Sequence, residues 1–198
     1  MAWDNVYIFY IIGGILSIVS IYYLVKHRND PAPPKPAPQN KEVPPVKENH
    51  YPELRERALT ITADQLGFQF DENNIHVYGV VMEYDMDKAI LTLVAYQTGD
   101  ASMYISNGGA FIGGIGQDNI KAAALSFVLE AQNYPTKAIL TTETPLPPKD
   151  CVQFYLLTNK GIYFHRETIA SMNPDWVNFG IYGHKVISQY RISTEKQK

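Results

Sequence analysis

An uncharged run of twenty residues near the N-terminus, residues 6–25, is the feature that most constrains what this chain can fold into. At about 1.5 Å of rise per helical residue the run is roughly 30 Å long, which matches the hydrocarbon core of a bilayer. A cleaved signal peptide is the competing interpretation, but it needs a basic start and a small-residue cleavage motif, and here only Asp4 is charged before the run. The sequence therefore predicts a retained anchor in residues 1–28, with a single transmembrane span at 6–25 and a basic flank.

The residues that border and line this span predict its orientation and its contacts. Lys26 and Arg28 follow the span at once, and by the positive-inside rule they place the C-terminal domain in the cytoplasm. Gly13, Ser17 and Ser20 are spaced to share one helix face, where small side chains let two helices approach closely. We therefore expect a single-pass membrane protein. Homo-oligomer formation through this face is one interpretation of the small residues, and small residues scattered through an anchor without such a contact are the other.

A proline-rich linker is predicted after the anchor, at residues 29–50. Seven of the thirteen prolines of the chain lie between residues 30 and 50. Because proline fixes φ and lacks a backbone donor, this stretch favours extended polyproline II structure and is typical of a semi-rigid spacer. Recognition of residues 33–38 by an SH3-type domain is the alternative role for such a composition.

The remaining residues, 51–198, have the length of one globular domain with its own core. They carry twelve Lys and Arg against sixteen Asp and Glu, so the domain is acidic and lacks the basic surface that nucleic-acid binding requires. Cys151 is the only cysteine of the chain, which excludes an intramolecular disulfide framework and any zinc site built from several cysteines. No cofactor is expected from these features.

Hydrophobic periodicity and turn residues predict an α+β fold, an antiparallel sheet covered by two or three helices. The helices are expected from Pro52 to the stop at Gly67, after Gln117 with Asp118 or Asn119 as its N-cap, and from Asn173 onward. On the second helix, the spacing predicts one buried face formed by Ile120, Ala124, Phe127, Val128 and Ala131. Strands are expected at residues 76–84, 89–96, 102–106 and 138–142, followed by a hairpin at 152–157 and 161–165.

Three sequence stretches carry a resemblance to a known group of proteins. They are Y-I-S-N-G-G-A-F-I-G-G from Tyr104, T-T-E-T-P-L-P-P from Thr141, and V-Q-F-Y-L-L-T-N-K-G-I-Y from Val152. Residues 54–191 resemble uncharacterised bacterial proteins that share the pattern Y-x-S-x-G-G-x-x-I-G-G, a group from which no activity, cofactor or catalytic residue is transferred. The element order is similar to that of profilin-like and roadblock or longin modules, which are scaffolds for protein association.

The glycine-rich stretch at residues 106–116 is the candidate binding site. Nucleotide binding is disfavoured because two motifs are incomplete. A P-loop needs Lys and then Ser or Thr after its last glycine, and these residues are absent here. A dinucleotide-binding fingerprint needs a third glycine at the position of Asn119. A structural role is the first alternative, in which glycines permit positive φ and close approach while Phe111 and Ile112 turn into the core. A loop that contacts a partner or ligand is the second, with the candidate residues Tyr104, Ser106, Asn107, Gly108, Gly109, Gly113, Gly114 and Gly116.

Two further groups of reactive residues each have a simpler role as the alternative. Cys151 with His165 or His184 would resemble a thiol–imidazole pair, although a small half-buried residue before a strand is the simpler role for Cys151. The carboxylates of Glu83 and its neighbours at 85 and 87 lack the remaining ligands of a calcium loop, so an exposed hairpin tip is expected there. The sequence predicts no catalytic residue and no metal site.

These observations favour a membrane-tethered, non-enzymatic interaction module. The alternative is a small-molecule sensor or an enzyme whose pocket is lined by residues 106–116.

Overall fold

The computed structural model describes residues 49–195. The predicted anchor, its basic flank and nearly all of the predicted linker lie outside these residues. None of the helices between residues 49 and 195 combines the length and the apolarity that crossing a membrane requires.

The described residues form an α+β fold, a seven-stranded antiparallel sheet with three helices, which confirms the predicted fold class. The strand order across the sheet is β4-β3-β2-β1-β6-β7-β5, so that β1 and β6 lie near the centre while β4 and β5 form the two edges. The helices are α1 (Tyr51–Thr60), α2 (Asp118–Ala131) and α3 (Pro174–Glu195). The strands are β1 (Val77–Asp85), β2 (Ile90–Tyr96), β3 (Ala101–Ile105), β4 (Gly109–Ile112), β5 (Ile139–Thr141), β6 (Cys151–Thr158) and β7 (Gly161–Thr168).

Both faces of the central strands are covered, and this explains why β1 and β6 are apolar along almost their whole length rather than at alternate positions. Helices α2 and α3 pack on one face, which we call the two-helix face, and α1 packs on the other, which we call the α1 face. The core of the two-helix face includes Met82, Phe127, Phe154, Phe179 and Ile187. The core of the α1 face includes Leu59, Val81, Val94, Tyr155 and Leu157.

The second predicted helix is confirmed in its position and in its buried face. Ile120, Ala124, Phe127, Val128 and Ala131 are the buried residues of α2. The predicted cap is wrong, because Gln117 precedes the first helical residue and makes no side-chain capping bond.

The first helix ends earlier than predicted, at Thr60 instead of before Gly67. Ile61 has an extended conformation, and the chain then forms a separate 3-10 turn at Asp64–Leu66. The Thr62 hydroxyl accepts from the Gln65 backbone at 3.3 Å, while the Gln65 side chain accepts from the Thr62 backbone at 2.9 Å. This reciprocal capping starts a new turn, so the helix that was expected to continue to Gly67 is interrupted after Thr60.

The predicted glycine-rich loop contains an unpredicted strand, β4, which pairs with β3. Phe111 packs against the core with its ring 6.0 Å from that of Tyr190, as expected for a residue turned inward. Ile112 is 65% exposed, so the expectation that it also turns inward is wrong. Adjacent residues of a strand point to opposite faces, and only the face of Phe111 is covered at this edge.

Candidate functional site

The first half of the candidate glycine-rich site is the turn between β3 and β4. The Ser106 backbone donates to the Ile90 carbonyl at 2.9 Å, and the Ser106 hydroxyl accepts from the Ile90 backbone at 2.8 Å. The Asn49 side chain donates to the Ser106 carbonyl at 2.8 Å, so the beginning of the described chain is attached here. Asn107 and Gly108 form the exposed tip, where a φ of 95° at Gly108 favours glycine.

The second half, from Gly113 to Gly116, passes against α2 and α3. Gly113 has a φ of 86°. A Cβ at Gly114 would lie 2.6 Å from both the Tyr190 hydroxyl and the Ile120 Cγ2, so only glycine fits without movement. Gly116 has open space within 4 Å of the corresponding position. The glycines of this half therefore differ in role. Gly113 has a backbone conformation that favours glycine, and Gly114 has no space for a side chain. Neither requirement applies to Gly116.

The two halves of the candidate site lie on opposite faces of the sheet. Tyr104 is buried on the α1 face, where burial raises the pKa of its hydroxyl despite a hydrogen bond to Ser102. Gly114 contacts Ile120 and Tyr190 on the two-helix face. Gly109 begins β4 opposite Ile105, between the two halves. The candidate residues are contiguous along the chain, but they do not converge on one side of the sheet.

The hypothetical pairing of Cys151 with His165 conflicts with the strand register. Cys151 begins β6 and lies opposite Thr168, whereas His165 lies opposite Phe154, an odd number of residues away. Because successive side chains alternate between faces, Cys151 belongs to the α1 face and His165 to the two-helix face. The ring of His165 stacks on Trp176 at 3.9 Å.

The partner of His184 is Tyr84 and not Cys151. His184 lies on α3, and its Nε2 is 2.6 Å from the Tyr84 hydroxyl. Burial lowers the pKa of His184 to about 4, because the charged imidazolium is poorly solvated there. Nδ1 of His184 is enclosed and has no hydrogen-bond partner, which also favours the neutral ring.

The acidic residues around Glu83 are not all at an exposed hairpin tip, as the sequence predicted. Glu83 lies in β1 and has an exposed fraction of 0%. Asp85 accepts a hydrogen bond from the Asp150 backbone at 2.8 Å, and only Asp87 is in the exposed turn, with a φ of 66°. The prediction failed for Glu83 because both faces of β1 are covered. The described residues contain no group of three His, Cys, Asp or Glu placed to hold a metal.

Glu83 is instead the centre of a buried polar network on the α1 face. Arg55 of α1 donates to it twice, from Nε to Oε1 at 2.6 Å and from Nη2 to Oε2 at 2.8 Å. Thr92 donates to Oε1 at 2.8 Å, and Gln153 donates to Oε2 at 2.8 Å. This buried carboxylate is therefore fully engaged by neighbours on α1, β2 and β6.

The same network holds the connector between β5 and β6. The Pro145 carbonyl accepts from Tyr155 at 2.6 Å, from Gln153 at 2.8 Å and from Arg55 at 3.1 Å. Burial would lower the pKa of Arg55, but its bonds to Glu83 outweigh burial and raise it. The network thus fixes α1 and the connector on the sheet, which is a structural role. A single acidic residue in the apolar run V-Y-G-V-V-M-E-Y was the sequence signal that could have revealed it.

The strand β5 leaves apolar side chains open at an edge of the sheet. Ile139 is 66% exposed and Leu140 is 61% exposed. Since adjacent residues point to opposite faces, β5 is uncovered on both faces. Within residues 49–195, β5 pairs only with β7, through Leu140 opposite Tyr163, so the other side of its backbone has no strand partner. Such an edge can accept another strand.

Comparison of the chain with protein-family models, with curated proteins and with solved structures gave no match.

Proposed function

We propose that this protein is a membrane-tethered interaction module that binds protein through the open edges of its sheet. The single observation that carries the proposal is the exposure of Ile139 and Leu140 on opposite faces of the edge strand β5. A strand that adds to such an edge gains backbone hydrogen bonds from the unpaired side and apolar contacts on both faces.

The chemistry of the interior supports a binding role. Its most buried carboxylate, Glu83, is used to hold α1 and the connector in place. His165 stacks on Trp176, while His184 bonds to Tyr84. These groups stabilise the fold, and the side chains left for contacts with other molecules are those of its edges and surface.

Tethering is the second part of the proposal and rests on the apolar run at residues 6–25 and the proline-rich segment that follows. An interaction module on a spacer would meet its partners near the bilayer. With the basic flank at residues 26–28, the domain would face the cytoplasm.

Site-specific photo-crosslinking in the source cells tests the proposal. A benzophenone amino acid replaces Leu140 on β5 or Ile112 on β4, and the control replaces Lys88, an exposed residue of the β1–β2 turn. We expect a discrete protein adduct from position 140 and none from position 88. An adduct from 112 would place a second contact at the glycine-rich stretch. If neither edge position gives an adduct, the interaction function is wrong.

The alternative of a small-molecule sensor or enzyme remains a prediction tied to residues 106–116. The distribution of Tyr104 and Gly114 over two faces of the sheet does not favour it. A ligand that protects the chain from thermal unfolding, and whose protection is lost in a Gly116→Val variant of normal stability, would support it instead.

A further inference from the structure

We propose that the connector between β5 and β6 is a docking site for a protein domain whose groove is lined by aromatic side chains and flanked by a carboxylate. The site consists of Pro145, Leu146 and Pro148, with Lys149 beside them. It is an interaction surface distinct from the sheet edges, so it goes beyond the proposed function. Grooves of this kind bind proline-rich segments that already have the polyproline II conformation.

The sequence of the connector restricts its conformation. The connector contains the run T-P-L-P-P at residues 144–148, which belongs to no helix or strand. Proline fixes its own φ at about −65° and restricts the residue before it to extended conformations. Every residue of this run is a proline or precedes one. The run therefore favours polyproline II structure, with three residues per turn.

The exposure of the run follows this period of three. Residues three apart share one edge of a polyproline II helix. The edge of Thr144 and Pro147 faces the sheet, since Pro147 is buried and Thr144 is half-buried. The edge of Pro145 and Pro148 is exposed, and Leu146 on the third edge is 48% exposed. Both prolines of a P-x-x-P pattern, the spacing that aromatic grooves bind, are therefore accessible.

The fold holds the P-x-x-P segment in place by its backbone. Three side chains donate to the Pro145 carbonyl, and the Pro148 carbonyl accepts from the Cys151 backbone at 3.2 Å. The two carbonyls are thus attached to the fold while the two rings stay exposed. A segment that is rigid in its bound conformation loses less conformational entropy when it binds. The connector is therefore pre-organised for a groove, unlike a free proline-rich peptide.

Lys149 places a positive charge at one end of the site. Its ammonium lies 3.5 Å from the Asp87 carboxylate, and the two side chains are 71% and 68% exposed. An exposed ion pair contributes little because water solvates the separated charges. Lys149 can therefore exchange Asp87 for a carboxylate of the partner, which is the reason for placing an acidic residue beside the groove.

Photo-crosslinking of the full-length chain in the source cells tests the site. A benzophenone amino acid replaces Glu143, an exposed residue two positions before Pro145. We expect a discrete protein adduct, and we expect the cross-linked peptide of the partner, sequenced by mass spectrometry, to contain Trp or Tyr.

A pair of leucine variants, each made in this photo-crosslinking chain, tests whether the connector makes the contact. Leu146→Asp should lower the adduct yield about 10-fold or more, because it removes an apolar contact and places a charge against the groove. Leu129→Asp on α2 is the matched control and should leave the yield unchanged. Both side chains are exposed, at 48% and 72%, so the fold tolerates either change.

Peptide competition gives a test that does not depend on the folding of a variant. A synthetic peptide with the sequence of residues 142–150, added in excess to membranes of the same cells before irradiation, should lower the adduct yield. The same peptide with alanine in place of both Pro145 and Pro148 should not, because it lacks the P-x-x-P pattern. Equal competition by the two peptides would contradict recognition of the prolines.

The remaining outcomes separate this inference from the proposed function. Absence of an adduct from position 143 would overturn the docking site. An adduct that survives both Leu146→Asp and excess peptide would also overturn it, because the contact would then belong to β5. Adducts from position 140 that persist in the Leu146→Asp chain support binding through the sheet edge, whatever the connector does.

Discussion

The carboxylate of Glu83 and the guanidinium of Arg55 form two hydrogen bonds, of 2.6 and 2.8 Å, between the middle of the sheet and the helix that covers it. Glu83 is fully buried, so its carboxylate oxygens find their hydrogen bonds in this partner and in the polar side chains beside it. A bidentate pair of this kind fixes the position of both groups. It therefore determines where α1 lies on the sheet.

Substitution of Glu83 by glutamine should destabilise the fold strongly. The change leaves the shape nearly intact but removes the charge that compensates Arg55, and breaking a buried pair in this way costs about 3–5 kcal/mol. The free energy of unfolding, measured by urea denaturation of the full-length chain in detergent, checks the expectation. Asp175→Asn, which breaks the exposed pair with Lys137, is the control and should change the free energy by less than about 1 kcal/mol. Equal effects of the two variants would refute a buried pair.

Stability should fall between pH 6.5 and pH 4 because of His184. Its pKa is lowered from 6.5 to about 4 in the folded chain, so the unfolded chain binds the proton first as the pH decreases. The contribution of the neutral ring is complete above about pH 6.5 and is lost as the pH approaches 4. We expect an effect on the order of 1–3 kcal/mol.

Replacement of His184 by glutamine provides the matched experiment for this pH dependence. Glutamine retains a polar group near the Tyr84 hydroxyl but cannot titrate. Urea denaturation at several pH values should therefore show a smaller slope for the variant than for the wild-type chain between pH 4 and 6.5. An unchanged slope would assign the pH dependence to other groups.

Alanine at Gly114 should destabilise the fold, whereas alanine at Gly116 should change its stability very little, although the residues are two apart. At Gly114 the new Cβ would lie 2.6 Å from Tyr190 and Ile120 and 3.2 Å from the Ala101 carbonyl, so the packing must shift. Overpacking of this kind costs about 1–3 kcal/mol. At Gly116 the space is open, and the change should stay within about 0.5 kcal/mol. Thermal or urea unfolding of the two variants, measured side by side, checks both values.

Alanine at Gly180 and Gly183 gives a second matched pair, within helix α3. At Gly180 the nearest atoms are 3.8 Å away, so the better helix propensity of alanine should stabilise the fold by about 0.5–1 kcal/mol. At Gly183 the Cβ would lie 2.6 Å from the Met82 Sδ and 3.2 Å from Phe127. We expect that variant to be destabilised by about 1 kcal/mol despite the same gain in propensity. A stabilised Gly183→Ala variant would show that Met82 moves freely.

Local patterns predicted the elements whose determinants lie within a few residues of one another. The buried face of α2 follows from helical spacing, and the hairpin of β6 and β7 follows from two strand-forming runs on either side of the turn at residues 159–161. The errors arose where an element distant along the chain determines whether a residue is buried or paired. Glu83 looked like part of a polar turn, and β4 looked like a loop because four glycines obscure its pairing with β3.

In the candidate site, too, local features were predictable from the sequence and features set by distant elements were not. Sequence reasoning placed Gly114 correctly among residues that permit close approach, but it could not separate Gly114 from Gly116, because the Tyr190 hydroxyl that occupies the space comes from another helix. It also grouped Tyr104 with these glycines, although strand alternation places Tyr104 under α1.

The sequence by itself determined the fold class, the order of most elements and the buried face of α2, because these depend on contacts between residues close along the chain. Only the tertiary structure decided that Glu83 is paired with Arg55, that His184 is held neutral beside Tyr84, and that β5 is an open edge. Each of these depends on segments far apart in the chain, whose meeting is set by the packing of the whole sheet and its helices rather than by any local preference.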